Sequence, residues 1–150
     1  MEWQKEAFLI STDKQKLDLA FIPHYLSEES YWAEAISFET VQKSIDNSVC
    51  FGVYYNKQQI GFARMITDEA TFGYLADVFI DTAFRGKGLS KWLMQVIMDH
   101  PPFQKLRRIM LATKDAQGLY QKFGFVHPVS EQEIMYVRRP DIYKRQQTTS

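Results

Sequence analysis

The stretch FIDTAFRGKGLS, residues 79–90, decides the fold that we expect for this chain. It runs from the end of an apolar strand, through a tight loop that contains Gly86 and Gly88, into a helix. Glycines let the backbone approach an anion closely, and a helix N-terminus offers unpaired N–H groups and the positive end of its dipole. Arg85 and Lys87 add two positive charges beside those groups. The stretch therefore predicts a pyrophosphate site, although two glycines alone fit an ordinary strand-to-helix turn equally well.

Hydrophobic spacing around this loop predicts a single domain over residues 1–150, with elements in the order β-α-α-β-β-β-α-β-α-β-β. We expect strands at residues 2–11, 49–55, 60–66, 72–80, 108–112, 125–126 and 133–137. We expect helices at residues 13–26, 39–46, 89–99 and 115–123, and a polar tail that frays from about residue 140. The helical crossover after strand 72–80 makes that strand and the next one parallel. The predicted fold class is α/β, with a mixed α+β sheet.

The composition excludes several classes of protein. The 18 basic and 18 acidic residues cancel, which argues against a nucleic-acid partner. The single cysteine, Cys50, allows no internal disulfide and fits a reducing compartment, and we expect it to be a buried strand residue. The N-terminus lacks the features of a signal peptide, and no apolar run approaches the ~20 residues that a membrane span needs. We therefore expect a cytoplasmic protein without a membrane partner.

Two segments resemble motifs of one enzyme family. RGKGLSKWLM, residues 85–94, resembles motif A of the GNAT superfamily, Arg/Gln-x-x-Gly-x-Gly/Ala, with Ser90 where Gly or Ala is usual. AQGLYQKFGF, residues 116–125, is similar to motif B, Ala-x-x-x-Tyr-x-x-x-Gly-Phe, and Thr113 stands where an Asn often opens that motif. The resemblance spans roughly residues 72–126, and it implies a GNAT-like, acetyl-CoA-dependent N-acetyltransferase.

The resemblance implies a splayed pair of central parallel strands that holds acetyl-CoA as cosubstrate. In this family the pantetheine arm pairs with the strand before the loop, and the pyrophosphate lies on the loop. The residues implied to bind acetyl-CoA are Val78, Phe79, Ile80, Arg85, Gly86, Lys87, Gly88, Leu89, Ser90 and Thr113. Among them, the N–H of Val78 is implied to polarise the acetyl carbonyl as an oxyanion donor.

The resemblance also implies the chemistry, in which a neutral amine attacks the thioester directly and no acyl-enzyme forms. Tyr120 aligns with the usual general acid, which protonates the leaving thiolate, although a tyrosine packed under the sheet fits the same position. Asp77 is the candidate base or ammonium ligand, because Ala76 replaces the Glu of polyamine-type members. A purely structural carboxylate fits Asp77 equally well, and Tyr74 is a weaker alternative base on the same strand.

The acceptor stays open at this point. A small-molecule amine is the first expectation, and the alternatives are a protein lysine or N-terminal amine, or a sensor module that binds acetyl-CoA without catalysis. A homodimer is compatible with the sequence. We expect five aromatic residues to lie mostly in the core, with some lining the acceptor pocket: Tyr31, Trp32, Phe38, Tyr54 and Tyr55. His24, His100 and His127 are dispersed without metal-ligand spacing, so no metal is predicted.

Overall fold

The computed structural model describes residues 1–148. Within that range the strands are β1 Glu2–Lys5, β2 Phe8–Ser11, β3 Val49–Tyr55, β4 Gln58–Thr67, β5 Phe72–Ile80 and β6 Arg108–Met110. The helices are α1 Phe21–His24, a π-helical turn at Tyr25–Glu29, α2 Phe38–Asp46, α3 Leu89–Asp99, α4 Gln117–Gln121 and α5 Ile142–Thr148. Short 3-10 turns lie at Lys14–Lys16, Thr82–Phe84, Pro101–Phe103 and Glu131–Glu133.

The strands form one sheet in the order of the chain, β1-β2-β3-β4-β5-β6. All neighbours are antiparallel except β5 and β6, which run parallel because the crossover through α3 joins them. The turn between β3 and β4 is two residues long, and both residues, Asn56 and Lys57, have the positive φ that twist-matched hairpin turns require. The mixed α+β sheet with its parallel pair confirms the predicted fold class.

Helices cover both faces of the sheet and make two cores. α3 packs on one face, where Leu93 is fully buried. On the other face, Ile22 of α1 and Val41 of α2 are fully buried. Because side chains alternate along a strand, the successive β4 residues Phe62 and Ala63 belong to opposite cores. Burial of each large apolar side chain in these cores stabilises the fold by about 1.5–3 kcal/mol. The two cores thus fix the position of the sheet from which the loop after β5 begins.

The N-terminal part differs from the sequence prediction in two places. Residues 2–11 form the hairpin β1–β2 rather than one strand, because the chain turns back at Glu6, which has a φ of 56°. Residues 13–26 do not form one helix, because the chain is extended between a 3-10 turn and α1. The Asp18 carboxylate accepts a hydrogen bond from the Phe21 N–H at 3.0 Å, and such a side-chain acceptor starts a new helix.

The C-terminal part differs more. The strands predicted at residues 125–126 and 133–137 are wrong, because none of residues 111–148 lies in a strand. Pro128 lies between the two segments, and proline offers no N–H to a strand ladder. Three apolar residues of the second segment are exposed: Met135, Tyr136 and Val137. Among the described residues, β6 is therefore the outer strand of the sheet.

Two short helices lie in this part of the chain. α4 is shorter than predicted, and Gly124 closes it in the predicted glycine role, with a φ of 91°. The Gly124 N–H donates to the Gln121 carbonyl at 3.2 Å and the Phe125 N–H to the Tyr120 carbonyl at 3.3 Å, which is the Schellman arrangement. The tail that was predicted to fray from about residue 140 contains α5, and Tyr143 of this helix packs against the core of α1 and α2. Residues 149 and 150 lie outside the described part of the chain.

Candidate functional site

The parallel strands β5 and β6 pair over a short length only. Their register joins Phe72 to Arg108 and Tyr74 to Met110, where β6 ends. β5 continues to Ile80, so its edge beyond Tyr74 has no partner in β6. The two strands therefore part toward their C-terminal ends, as the predicted splayed pair requires. An extended ligand can add its own hydrogen-bonding groups along such an open edge.

β5 carries a bulge on this open stretch. Opposite residues 62–64 of β4 the register shifts, and β5 contains one extra residue. Asp77 lies in this bulge with a φ of 54°, a left-handed backbone conformation that residues other than glycine rarely adopt. The next three residues were predicted to bind the cosubstrate. The Phe79 and Ile80 side chains are buried and that of Val78 is half-buried, so their backbone groups are what they offer to a ligand.

Both carboxylate oxygens of Asp77 have hydrogen-bond donors. Arg64 Nε donates to Oδ2 at 2.6 Å, and Trp32 Nε1 donates to Oδ1 at 2.8 Å. Arg64 Nη1 also donates to Ser48 Oγ at 3.0 Å. The side chain of Asp77 is only 9% exposed, and that of Arg64 is only 15% exposed. The candidate base is therefore one half of a nearly buried ion pair that also holds the bulge.

The loop predicted to hold phosphate has an open backbone. Gly86 and Gly88 have φ values of 80° and 77°, and no described atom lies within 4 Å of where either Cβ would be. Gly88 is the N-cap of α3, so no side chain caps the first turn of the helix. The N–H groups of that turn have no intrahelical acceptors and lie at the positive end of the dipole. Lys87 is exposed and Ser90 half-buried beside them, whereas the Leu89 side chain is buried.

This arrangement fits a pyrophosphate group. Two glycines leave room for a bulky anion, and the free N–H groups supply hydrogen-bond donors. Both basic residues of this loop, Arg85 and Lys87, are exposed.

Arg85 is exposed, but two hydrogen bonds hold its guanidinium against the protein. Its Nε donates to the Ile80 carbonyl at 3.1 Å, and its Nη2 donates to the hydroxyl of Tyr25 at 2.7 Å. The guanidinium therefore ties the loop to the end of β5 and to the π-helical turn. A direct contact of Arg85 with the cosubstrate stays a prediction.

Tyr120, the predicted general acid, lies in α4 and is 9% exposed. Its ring packs edge-on against Phe125, with centroids 5.9 Å apart. Burial raises the pKa of Tyr120 to about 12, and the neighbouring Tyr31 and Asp115 add to this shift. The phenol therefore keeps its proton at neutral pH, as an acid must.

A cavity of about 850 Å³ brings together two of the predicted residues, Thr113 and Tyr120. Its walls come from β6, α4, the segment that follows α4 and Met98 of α3, and include no residue of β5 or of the glycine loop. Thr113 Oγ1 accepts a hydrogen bond from the Ala116 N–H at 3.1 Å, which fixes the start of α4. The predicted site residues thus form two groups, one on β5 and its loop and one beside β6.

Two residues that sequence reasoning assigned mostly to the core join these groups. Trp32 donates to Asp77 on β5, and the adjacent Tyr31 accepts a hydrogen bond from the Lys114 N–H, beyond β6, at 3.1 Å. Tyr31 is 51% and Trp32 40% exposed, so the core assignment is wrong for both. It is also wrong for Phe38, which is exposed. The partner of Trp32 lies 45 residues away in the chain and that of Tyr31 lies 83 residues away, and no local pattern signals such contacts.

No group of three or more His, Cys, Asp or Glu side chains in the described part of the chain is placed to hold a metal ion. No described helix is long and apolar enough to cross a membrane.

Known proteins are similar to this chain in both sequence and fold. The profile of the acetyltransferase (GNAT) family matches residues 17–125. The Gibberella zeae protein FG08082, named as an acetyltransferase, is 31% identical over 140 residues, which cover 80% of this chain and 79% of that protein.

Solved structures agree with this match. A GNAT family protein of Xanthomonas campestris pv. campestris is 46% identical, superposes with a TM-score of 0.89, and the alignment covers 91% of this chain and 96% of that one. A Clostridium acetobutylicum acetyltransferase solved with acetyl-CoA is 14% identical, with a TM-score of 0.60 over 87% of this chain and 94% of that one. At that identity the second likeness concerns the fold alone.

Proposed function

This chain belongs to the acetyltransferase (GNAT) family, and we propose that it transfers the acetyl group of acetyl-CoA to a primary amine of a small molecule. The observation that carries the proposal is the open edge of β5 beyond Tyr74, which leads directly to the uncapped glycine loop. Acetyl-CoA has groups that suit both parts, a pantetheine arm for the strand edge and a pyrophosphate for the loop. The single buried thiol of Cys50 fits a reducing compartment, so we propose the cytoplasm as its location.

In the proposed reaction the amine attacks the thioester carbon while both substrates are bound. The new N–C bond forms, the C–S bond breaks, and the amine loses one proton. The bulge supports Val78 as the donor to the oxyanion, because Val78 has no partner in the register with β4. A donor of this kind is typically worth about 3 kcal/mol in the transition state.

Tyr120 supplies a proton to the departing thiolate in this proposal. Its raised pKa of about 12 means that almost every molecule carries the proton at neutral pH. A thiol is the stronger acid, with an ordinary pKa near 8.5, so transfer to the thiolate is uphill. The phenol therefore stabilises the departing sulfur by a hydrogen bond, and the thiolate takes up its proton only as solvent returns one to Tyr120.

Asp77 is proposed to bind the acceptor ammonium or to accept its proton through water. The carboxylate already accepts hydrogen bonds from Arg64 and Trp32, which leaves its remaining lone pairs for this role. Tyr74, on the same strand, is the alternative acceptor.

One observation favours a second candidate function, a module that binds acetyl-CoA without catalysis. The charge of Asp77 is neutralised by Arg64 across 2.6 Å, which weakens its pull on an ammonium group. A binding module needs the open strand edge and the glycine loop but no base. The two functions differ in whether free thiol appears when amines are added.

The test is to incubate the purified protein with acetyl-CoA and a panel of small amines, with a lysine-containing peptide as a separate sample. Thiol release is followed with a chromogenic reagent, and acetylated products are identified by mass spectrometry. Amine-dependent thiol release with a matching product supports the enzyme, and acetylation of the peptide alone would make it a protein acetyltransferase. CoA binding by calorimetry without turnover would favour the module, and absence of both would refute the proposal.

A further inference from the structure

We propose that Tyr25 couples the glycine loop to residues 25–32 through its hydrogen bond with Arg85. This segment contacts both the bulge of β5 and the turn after β6. This inference rests on the proposed function, because it takes CoA as the ligand of the loop. It makes Tyr25 and Arg85 positioning residues rather than contacts of the phosphate.

The first link is the pair of hydrogen bonds that the exposed Arg85 side chain donates. Its guanidinium donates to the hydroxyl of Tyr25 at 2.7 Å and to the Ile80 carbonyl at 3.1 Å. Hydrogen bonds from a charged donor are stronger than those between neutral groups. Any restraint on the backbone at residue 85 is therefore passed directly to a side chain 60 residues earlier in the chain.

The second link is the way in which Tyr25 is held. Its side chain is 3% exposed and its ring stacks flat on Phe79 of β5, with centroids 3.8 Å apart and an interplanar angle of 4°. Tyr25 opens the π-helical turn, which closes with the Ser30 N–H donating to the Tyr25 carbonyl at 2.9 Å. π-Helical turns are rare and are found frequently at functional sites.

The third link is the end of this segment. Tyr31 and Trp32 contact the two sides of the gap between β5 and β6. Tyr31 accepts a hydrogen bond from the Lys114 N–H, and Trp32 donates one to Asp77. Residues 25–32 therefore connect three points: the glycine loop, the bulge of β5 and the turn after β6. A segment with this placement lies where the amine must approach the acetyl group in the proposed reaction.

The direction of the coupling follows from the loop. Between Phe84 and Leu89, which pack on the core, the loop has two left-handed glycines with no described atom around their missing Cβ positions. An anion on its N–H groups restrains its backbone, and the Arg85–Tyr25 bond extends that restraint to residues 25–32. Because coupling is reciprocal, an ordered segment must also raise the affinity of the loop for CoA.

The test is hydrogen–deuterium exchange of the full chain with and without CoA, followed by mass spectrometry of peptides. In the unmodified protein we expect CoA to slow exchange both in residues 86–92 and in residues 22–32. In Tyr25→Phe we expect CoA to slow residues 86–92 only, with an affinity for CoA lowered at least about fivefold by calorimetry. Tyr54→Phe is the matched control, because its buried hydroxyl has no hydrogen-bond partner among the described residues.

Arg85→Met breaks the same bond from the other side and keeps the proposal testable if Tyr25→Phe folds poorly. It should reproduce the effects of Tyr25→Phe, and the double variant should lose no more than either single one. CoA protection of residues 22–32 that persists in both variants would overturn the proposal. So would an Arg85→Met loss of affinity far above that of Tyr25→Phe, since Arg85 would then contact the phosphate itself. If CoA neither binds nor slows exchange at residues 86–92 of the unmodified protein, the proposed function fails first, and this inference with it.

Discussion

Arg64 Nε lies 2.6 Å from Asp77 Oδ2, and this nearly buried ion pair joins two strands at the point where the register between them shifts. The pair holds a residue whose backbone is left-handed, with a φ of 54°. Breaking one side of such a pair leaves an unbalanced charge in a largely dry place, which is strongly destabilising. The carboxylate therefore has a structural task whatever its part in the reaction.

The first prediction separates those two tasks of Asp77. Asp77→Asn keeps a side chain that tolerates a left-handed backbone but leaves Arg64 without its counter-charge, so the free energy of unfolding should fall by about 3 kcal/mol. Turnover should fall while CoA affinity stays nearly intact. Arg64→Met together with Asp77→Asn should recover part of the lost stability without recovering turnover. Turnover per folded molecule that equals the unmodified protein at every pH would leave Asp77 with the structural task alone.

The second prediction concerns Gly88. A side chain at this N-cap meets no described atom, but the φ of 77° is unfavourable for it, and a carboxylate there occupies the place of the phosphate. Gly88→Asp should abolish CoA binding measured by calorimetry, whereas Gly118→Asp, at a glycine in α4 that also has open space around it, is the control. Unchanged CoA affinity in a folded Gly88→Asp protein would contradict the assignment of the loop.

The third prediction concerns the hydroxyl of Tyr120. Tyr120→Phe keeps the ring against Phe125 and removes the proton, so turnover should fall by about 10²–10⁴-fold with little change in acetyl-CoA affinity. Steady-state kinetics with any accepted amine measure both quantities. Tyr54→Phe, which also keeps its ring and removes a buried hydroxyl, controls for the substitution itself. A fall of less than about threefold would mean that solvent or another group supplies the proton, because general acids contribute more than that.

The fourth prediction concerns acid stability and His100. This side chain is 6% exposed, Nδ1 has no hydrogen-bond partner among residues 1–148, and burial lowers the pKa of the imidazole. The folded protein therefore binds a proton less readily than the unfolded chain, whose histidine titrates near 6.5. The free energy of unfolding should be highest above that pH and should decrease as the pH falls below it.

Urea denaturation at pH 7, 6 and 5 measures this dependence. His100→Phe keeps an aromatic ring next to Phe51 and Phe103 and removes the titrating group, so its stability should change less over the same range. His127→Phe is the control, because that side chain is exposed. An equal loss of stability in His100→Phe and the unmodified protein would assign the acid sensitivity to other groups.

The central elements could be predicted from the sequence because their signals are local. α3 was predicted at residues 89–99 and found there, since its apolar face repeats at helical spacing and His100 and Pro101 follow it. β3 and β5 were likewise predicted at residues 49–55 and 72–80 and found there. The glycine loop between β5 and α3 was also predicted from a local pattern, two glycines between a strand and a helix.

What could not be predicted depends on contacts between distant residues. The N-terminal helix starts late because Asp18 is held by Gln59, whose Oε1 accepts from the Asp18 N–H at 2.7 Å. The direction of the Arg85 guanidinium depends on Tyr25, and the exposed position of Trp32 depends on Asp77. A window of neighbouring residues contains none of these partners. The sequence therefore indicates which residue types the site uses, and the long-range hydrogen bonds decide where they point.

β6 is only three residues long, and this shortness leaves the sheet unfinished beside β5. A ligand that completes the sheet binds the folded chain and not the unfolded one, so it adds about 2.7 kcal/mol of stability at a hundred times its dissociation constant. The survival of the protein against proteases then depends on how much of that ligand surrounds it. With acetyl-CoA as the ligand, the fraction of the protein that escapes digestion would rise with the acetyl-CoA concentration without any change in its synthesis.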